Sequence, residues 1–186
     1  MPTKPRSTKT LTSKISERRK HLLDKYEQEL ALLKDRSLQL IVFRVGNHFY
    51  AFELLKTKEV IELPKISALP HTPDYVLGVA SVRGKMTLII DWASKIGEPS
   101  LAEDAGYVVV LGYKKYQLGL KVNEVPTTRI INGSLLQSPA EILSDSTHEE
   151  TYIKASTHLD GEYVFLVDLE EFIETNRLKV ASELVH

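Results

Sequence analysis

Short apolar runs separated by turn residues recur along most of the chain. Leu38–Val45 (LQLIVFRV) and His48–Phe52 (HFYAF) flank Gly46-Asn47, and this spacing predicts a β-hairpin. Tyr75–Val82 and Met86–Ile90 are joined by Arg83-Gly84-Lys85, a connection that allows only a tight turn. Between these hairpins, Glu53–Glu59 breaks the alternation and reads as a short helix. Pro64, Pro70 and Pro73 then punctuate a connection in which Ile66–Leu69 can form a brief edge strand. The pattern restarts at Tyr107–Leu111 and Tyr116–Val122, around a turn at Gly112–Lys115. Val125–Ile131 follows, opened by Pro126. After a polar stretch over Gln137–Glu150, Tyr152–Thr157 and Tyr163–Val167 flank Asp160-Gly161, whose chemistry suits a type I′ turn. So many short strands predict a mainly β protein of sandwich or barrel type.

Helical periodicity occurs at the two ends. Ile15, Leu22, Tyr26, Leu30 and Leu33 recur at helical spacing, with Ser13 as a cap, which predicts a helix over 13–35. Arg18 and Lys25 interrupt any heptad seam, so a coiled coil is not expected. Asp168 is placed to cap a short C-terminal helix, and Asp91 another before Gly97. The two segments LIIDWASKI and FLVDLEEFI echo each other and suggest two similar small barrels, with a boundary in the acidic, small-residue stretch 97–106. The expected organisation is a tail over 1–12, a helical extension over 13–36, a β domain over 37–176 and a tail over 177–186.

Composition narrows the functions available. The 186 residues carry a net charge of −1, which supplies no long-range pull towards nucleic acid or an anionic membrane. Without cysteine there are no disulfides, thiolate ligands or cysteine nucleophiles. No apolar run is long enough to span a bilayer, and the N-terminus lacks the apolar middle of a secretory signal, so a cytoplasmic protein is expected. No HExxH, phosphate loop, GxSxG or dinucleotide fingerprint occurs. His148-Glu149-Glu150 sits in a polar stretch and reads as solvated surface. Lys114-Lys115 beside Tyr113 and Tyr116 is the one basic and aromatic cluster, and it keeps a small-barrel nucleic-acid-binding module as the alternative. No enzyme activity, cofactor or metal is expected. A binding or scaffold role remains, with Arg83 at the tip of an apolar hairpin as its most distinctive residue.

Four segments in order then resemble one family. LIVFRVGNHFYAFELLKTKEV, PDYVLGVASVRGKMTLIIDW, YQLGLKVNEV and LDGEYVFLVDLEEF resemble the CheW-like domain of bacterial chemosensory systems. The resemblance implies two interlocked five-stranded barrels and a non-catalytic adaptor. Its implied partners are the regulatory domain of a CheA-type histidine kinase and the cytoplasmic tips of transmembrane chemoreceptors. The pathway would serve flagellar chemotaxis or twitching motility, with no nucleic acid and no direct membrane insertion. The family's functional acid and arginine carry over to Glu59, placed on a helix, and Arg83. Ser81, Val82 and Leu88 depart from the family pattern, and with Val79 they complete the expected partner-binding set. Individually Val79, Val82 and Leu88 fit a core better than a contact, and Trp92 fits burial between the barrels better than an interface hot spot.

Overall fold

The computed structural model describes residues 8–100, 105–140 and 152–175. Helix α1 (Thr8–Leu33) precedes strands β1 (Ser37–Val45) and β2 (His48–Glu53). A single 3-10 turn at Leu54–Lys56 leads into β3 (Thr57–Glu62). Then come β4 (Val76–Val82), β5 (Lys85–Asp91), the short helix α2 (Trp92–Lys95), β6 (Tyr107–Tyr113) and β7 (Tyr116–Val122). β8 (Thr127–Asn132), a 3-10 turn at Gly133–Leu135, β9 (Ile153–Leu159), β10 (Glu162–Val167) and helix α3 (Leu169–Thr175) complete the described chain.

The strands form two five-stranded sheets, ordered β8-β1-β2-β10-β9 and β3-β6-β7-β5-β4. In each, one inner pair is parallel, β2 with β10 and β5 with β7, and the other pairings are antiparallel. The sheets therefore share one topology in which β3 to β7 correspond in order to β8, β9, β10, β1 and β2. Smaller features repeat too. The Asp91 amide donates to the Tyr75 carbonyl and the Asp168 amide to the Tyr152 carbonyl, each at 2.8 Å. Isolated bridges Ser67 to Val79 and Gln137 to Ser156 hold equivalent edges. The echo between LIIDWASKI and FLVDLEEFI is thus a structural repeat, but not one of sequence halves. The first sheet takes the first two and last three strands, and the second takes the middle five. Residues 97–106 lie between β5 and β6 of one sheet, so the two sheets are not divided there.

Burial on both faces explains why the strands read as near-continuous apolar runs. On β1, Leu38, Leu40 and Val42 point into the first sheet's own core, with Ala51, Ile131, Ala155, Val164 and Leu166. The alternate residues Ile41, Phe43 and Val45 point the other way, into a larger core between the sheets. On β6, Val108 and Val110 join Ala80, Val82 and Ile89 inside the second sheet, while Val109 and Leu111 face the shared core. Trp92 is fully buried at the centre of that shared core. Its ring centroid lies 4.9 Å from that of Phe172 and between 5.4 and 6.1 Å from those of Tyr50, Phe52, Tyr152 and Phe43.

Both predicted aspartate caps form. Asp91 accepts from the amides of Ala93 (3.1 Å) and Ser94 (3.4 Å), and Asp168 from those of Glu170 (3.0 Å) and Glu171 (3.2 Å). Helix α1 starts at Thr8, so Ser13 lies inside it rather than at its cap. Its periodic residues meet the first sheet: Leu22 and Tyr26 are buried, and Leu30 and Leu33 pack against the core of that sheet. Gly133 permits the contact, because a Cβ there would sit 1.8 Å from the Leu33 carbonyl oxygen. Two ion pairs add to it, Arg18 with Glu171 (2.7 Å) and Lys25 with Asp168 (3.2 Å).

One element differs in kind from expectation. Glu53–Glu59 is not a helix. Glu53 ends β2, a three-residue turn follows, and Glu59 lies within β3, opposite Val110 of β6. Half-buried Thr57, Glu59 and Ile61 alternate with exposed Lys58, Val60 and Glu62. That is the pattern of an edge strand, and ladder pairing to β6 overrides the helical propensity of Glu, Leu and Lys.

Candidate functional site

The β4–β5 turn places the most distinctive side chain. Arg83 and Gly84 both have positive φ, +48° and +75°, which is the geometry of a type I′ hairpin. Gly84 adopts it without cost, whereas arginine there is uncommon. The turn throws Arg83 back towards β3, at the opposite edge of the same curled sheet. Its Nε donates to both carboxylate oxygens of Glu59, at 2.9 and 2.8 Å. The Arg83 side chain remains 81% exposed and that of Glu59 19%. A guanidinium has five N–H donors, and this pairing engages one of them.

The structure thus brings Glu59 and Arg83 together and leaves Ser81 exposed beside them. It separates the remaining expected contacts. Val79 and Leu88 are directly opposed across β4 and β5 and lie in the core between the sheets. Val82 lies inside the second sheet. At 6%, 2% and 4% exposure these three are buried in the packing that supports the hairpin. Met86, opposite Ser81, is 39% exposed and belongs to the same surface. Alternation along β5 makes this legible, since Met86 shares a sheet face with Leu88 but lies nearer the tip, beyond the covered area.

A buried ion pair lies at the far end of β5 from the turn. Lys121 Nζ sits 3.9 Å from Asp91 Oδ2, with side chains 2% and 6% exposed, and also donates to Ser100 Oγ at 3.5 Å. The parallel register of β5 and β7 sets Asp91 beside Lys121. The spacing in sequence gives no hint of the pair.

A cleft of about 360 Å³ opens between α1, the 54–56 turn, the β6–β7 turn and α3. Most of the charges lining it are paired: Lys25 with Asp168 and Glu29, Lys154 with Glu53, and Lys114 with Glu170. Tyr113 is buried, and its hydroxyl bonds Glu174 (3.1 Å) and Glu170 (3.4 Å). Lys114 and Tyr113 therefore face acids rather than forming an exposed stacking platform. Among the described residues no group of histidines and carboxylates is arranged to hold a metal ion.

Two small five-stranded sheets that share one core, with a charged hairpin tip at the seam of one of them, define a paired-barrel protein built around surfaces. The chain belongs to the CheW-like domain family, whose family model matches residues 39–177. A Rhizobium etli protein described as a probable chemotaxis protein CheW is 29% identical over 139 residues, covering 74% of this chain and 88% of that protein. Chemotaxis protein CheW of Rhizobium meliloti is 25% identical over 144 residues, 77% of this chain and 92% of that protein. Protein PilI of Pseudomonas aeruginosa is 34% identical over 86 residues, 46% of this chain and 48% of that protein. The crystal structure of the scaffolding protein TtCheW from Thermoanaerobacter tengcongensis superposes with a TM-score of 0.65. It is 19% identical, covers 74% of this chain and 92% of that one, and shares the fold. Helix α1 lies ahead of the segment that the family model matches.

Proposed function

We propose that this chain is a chemosensory coupling adaptor that joins a CheA-type histidine kinase to the cytoplasmic tips of chemoreceptors. Membership of the CheW-like family across residues 39–177 is the observation that carries this reading. The relatives of Rhizobium etli and Rhizobium meliloti are chemotaxis proteins by description and are matched over most of their length. Nothing in the site favours nucleic acid, because Tyr113 and Lys114 of the basic and aromatic cluster are turned to acids of α3.

The adaptor works through contact rather than turnover. Arg83 and Glu59 form the charged part of the contact surface, Ser81 a neutral polar part and Met86 its apolar part. Val79, Val82 and Leu88 hold the hairpin beneath them. A partner carboxylate that reaches the free N–H groups of Arg83 competes with or shares the Glu59 pair. Such an exchange sets register and on-rate more than raw affinity. The protein acts in the cytoplasm, held at receptor arrays through its partners. Among the described residues no helix is long and apolar enough to cross a membrane.

Reconstitution tests the bridge. Kinase mixed with receptor-bearing membranes should co-sediment with them only when this chain is added. Equal sedimentation with and without the chain contradicts the proposal.

A further inference from the structure

Strand β8 is an edge of the first sheet, paired with β1 on one side and with no strand on the other among the described residues. It corresponds by topology to β3, the edge of the second sheet. The two edges are finished differently. β3 carries Lys58, Glu59 and Glu62, the kind of charges that discourage edge pairing. β8 reads TTRIIN, and its one charge, Arg129, is tied to Asp160 at 3.3 Å. Its β-branched residues favour pairing, and no proline or bulge interrupts it.

Apolar exposure on this stretch is symmetric. Ile130 is 68% exposed, and Val125 and Leu135, five positions to either side, are 60% and 53% exposed. Ile130 lies opposite Gln39 on the outer face of the sheet, and Ile131 opposite Leu38 on the inner face. We infer that β8 is a self-association edge whose occupant is β8 of a second copy of this chain, antiparallel, on a two-fold axis through Ile130. This inference is independent of the adaptor reading.

The register argues for a second copy over an unrelated strand. A two-fold axis on Ile130 and normal to the sheet keeps inner and outer faces continuous. It sets Ile130 against the partner's Ile130, and Arg129 against the partner's Ile131. It sets Thr128 against the partner's Asn132, so no like charges meet. Because the two strands run antiparallel, the end of β8 that follows Val125 lies beside the partner's end that precedes Leu135, so both flanking exposed apolar residues lie at the margins of the contact. A slip of the pairing register by one residue sets inner faces against outer ones, and an axis on Arg129 sets two guanidiniums together. The result is one continuous ten-stranded sheet. An isologous contact of this kind closes on itself and ends at the dimer.

The chain lacks cysteine, so a single introduced thiol reads the register directly. Directly opposed residues of an antiparallel pair have Cα atoms roughly 4.5–5.5 Å apart, within disulfide reach. Ile130→Cys, oxidised with copper–phenanthroline in air, should give a covalent dimer rapidly. Thr128→Cys, whose twin lies four residues along the strand at roughly 13 Å, should lag at least tenfold. In sedimentation velocity the wild-type chain should show a concentration-dependent monomer–dimer equilibrium. Ile130→Lys should weaken it at least tenfold while the melting temperature stays unchanged, as expected for an exposed position. A wild-type chain that stays monomeric up to roughly 1 mM overturns the inference, since even weak specific contacts register there. Equal cross-linking at 128 and 130 overturns it as well. So does a dimer indifferent to Ile130→Lys, and so does a monomer in which that substitution abolishes only the capture of a different protein.

Discussion

Arg83 holds Glu59 through one N–H and keeps most of its surface in water, and this division sets its energetics. An exposed pair of this kind contributes at most about 1 kcal/mol to stability, because both charges are well solvated when apart. Arg83→Glu should therefore leave the melting temperature nearly unchanged and weaken binding to at least one partner by tenfold or more. Restoring the pair in reverse, with Glu59→Arg added, should recover the intrachain contact but not the binding. A large loss of stability in Arg83→Glu makes the residue structural instead. Lys121 is the opposite case. Its partner Asp91 is also buried, so Lys121→Met leaves that carboxylate with its two capping amides but without its counter-charge, and should cost about 3 kcal/mol in urea denaturation. The two residues were unequally legible. Arg83 stands out because a cation interrupts an apolar hairpin, and an exposed tip forces it towards water or an acid. Lys121 sits in YQLGLKV like any outward-facing strand residue, and only the parallel pairing of β5 with β7 turns it inward.

Helix α1 depends on few residues for its attachment. Tyr26 is 1% exposed, and its neighbours along the stripe are Leu22, Leu30 and Leu33. Tyr26→Ala should destabilise by about 3–5 kcal/mol and raise amide exchange across α1 while the sheets stay protected. The docking also has a pH window. Burial, with the nearby carboxylates of Asp168, Glu171 and Glu29, pushes the Tyr26 phenol well above the tyrosine range. For Lys25, burial pulls the ammonium down, but the Asp168 charge and hydrogen bond outweigh it, and the net direction is up. A group whose proton is held more tightly when folded stabilises the fold below its unfolded pKa. That stability is lost as pH rises through the folded value. Attachment of α1 should therefore be flat between pH 6 and 9 and weaken above about pH 10, where an unfolded tyrosine begins to ionise. Loss of attachment near pH 7 contradicts this. The helix was legible because its apolar stripe has helical spacing. Strand β3 was not, because charged residues fill an edge strand and its stabilising partner β6 lies some fifty residues away.

The whole molecule is two copies of one sheet topology, permuted so that the chain enters the first sheet, builds the second and returns. The strands other than β3, the turn chemistry and the paired aspartate caps were readable as local patterns. The permutation was not, since nothing in β1 announces that its neighbour β8 is over eighty residues away. The resemblance supplied the interlocking that local patterns lacked, and it located Glu59 and Arg83 without showing that they bind each other. The interlocked arrangement matters for the proposed function. The two sheets share one aromatic core around Trp92, so surfaces on either sheet are held at a fixed distance, as a bridging protein requires. The most direct test of the coupling role is isothermal titration of the folded chain with the isolated regulatory domain of its cognate histidine kinase. Saturable binding tighter than tens of micromolar, weakened by a substitution on the surface of this chain that leaves its melting temperature unchanged, is the result this account predicts. A folded chain that gives no heat and no complex at those concentrations contradicts it.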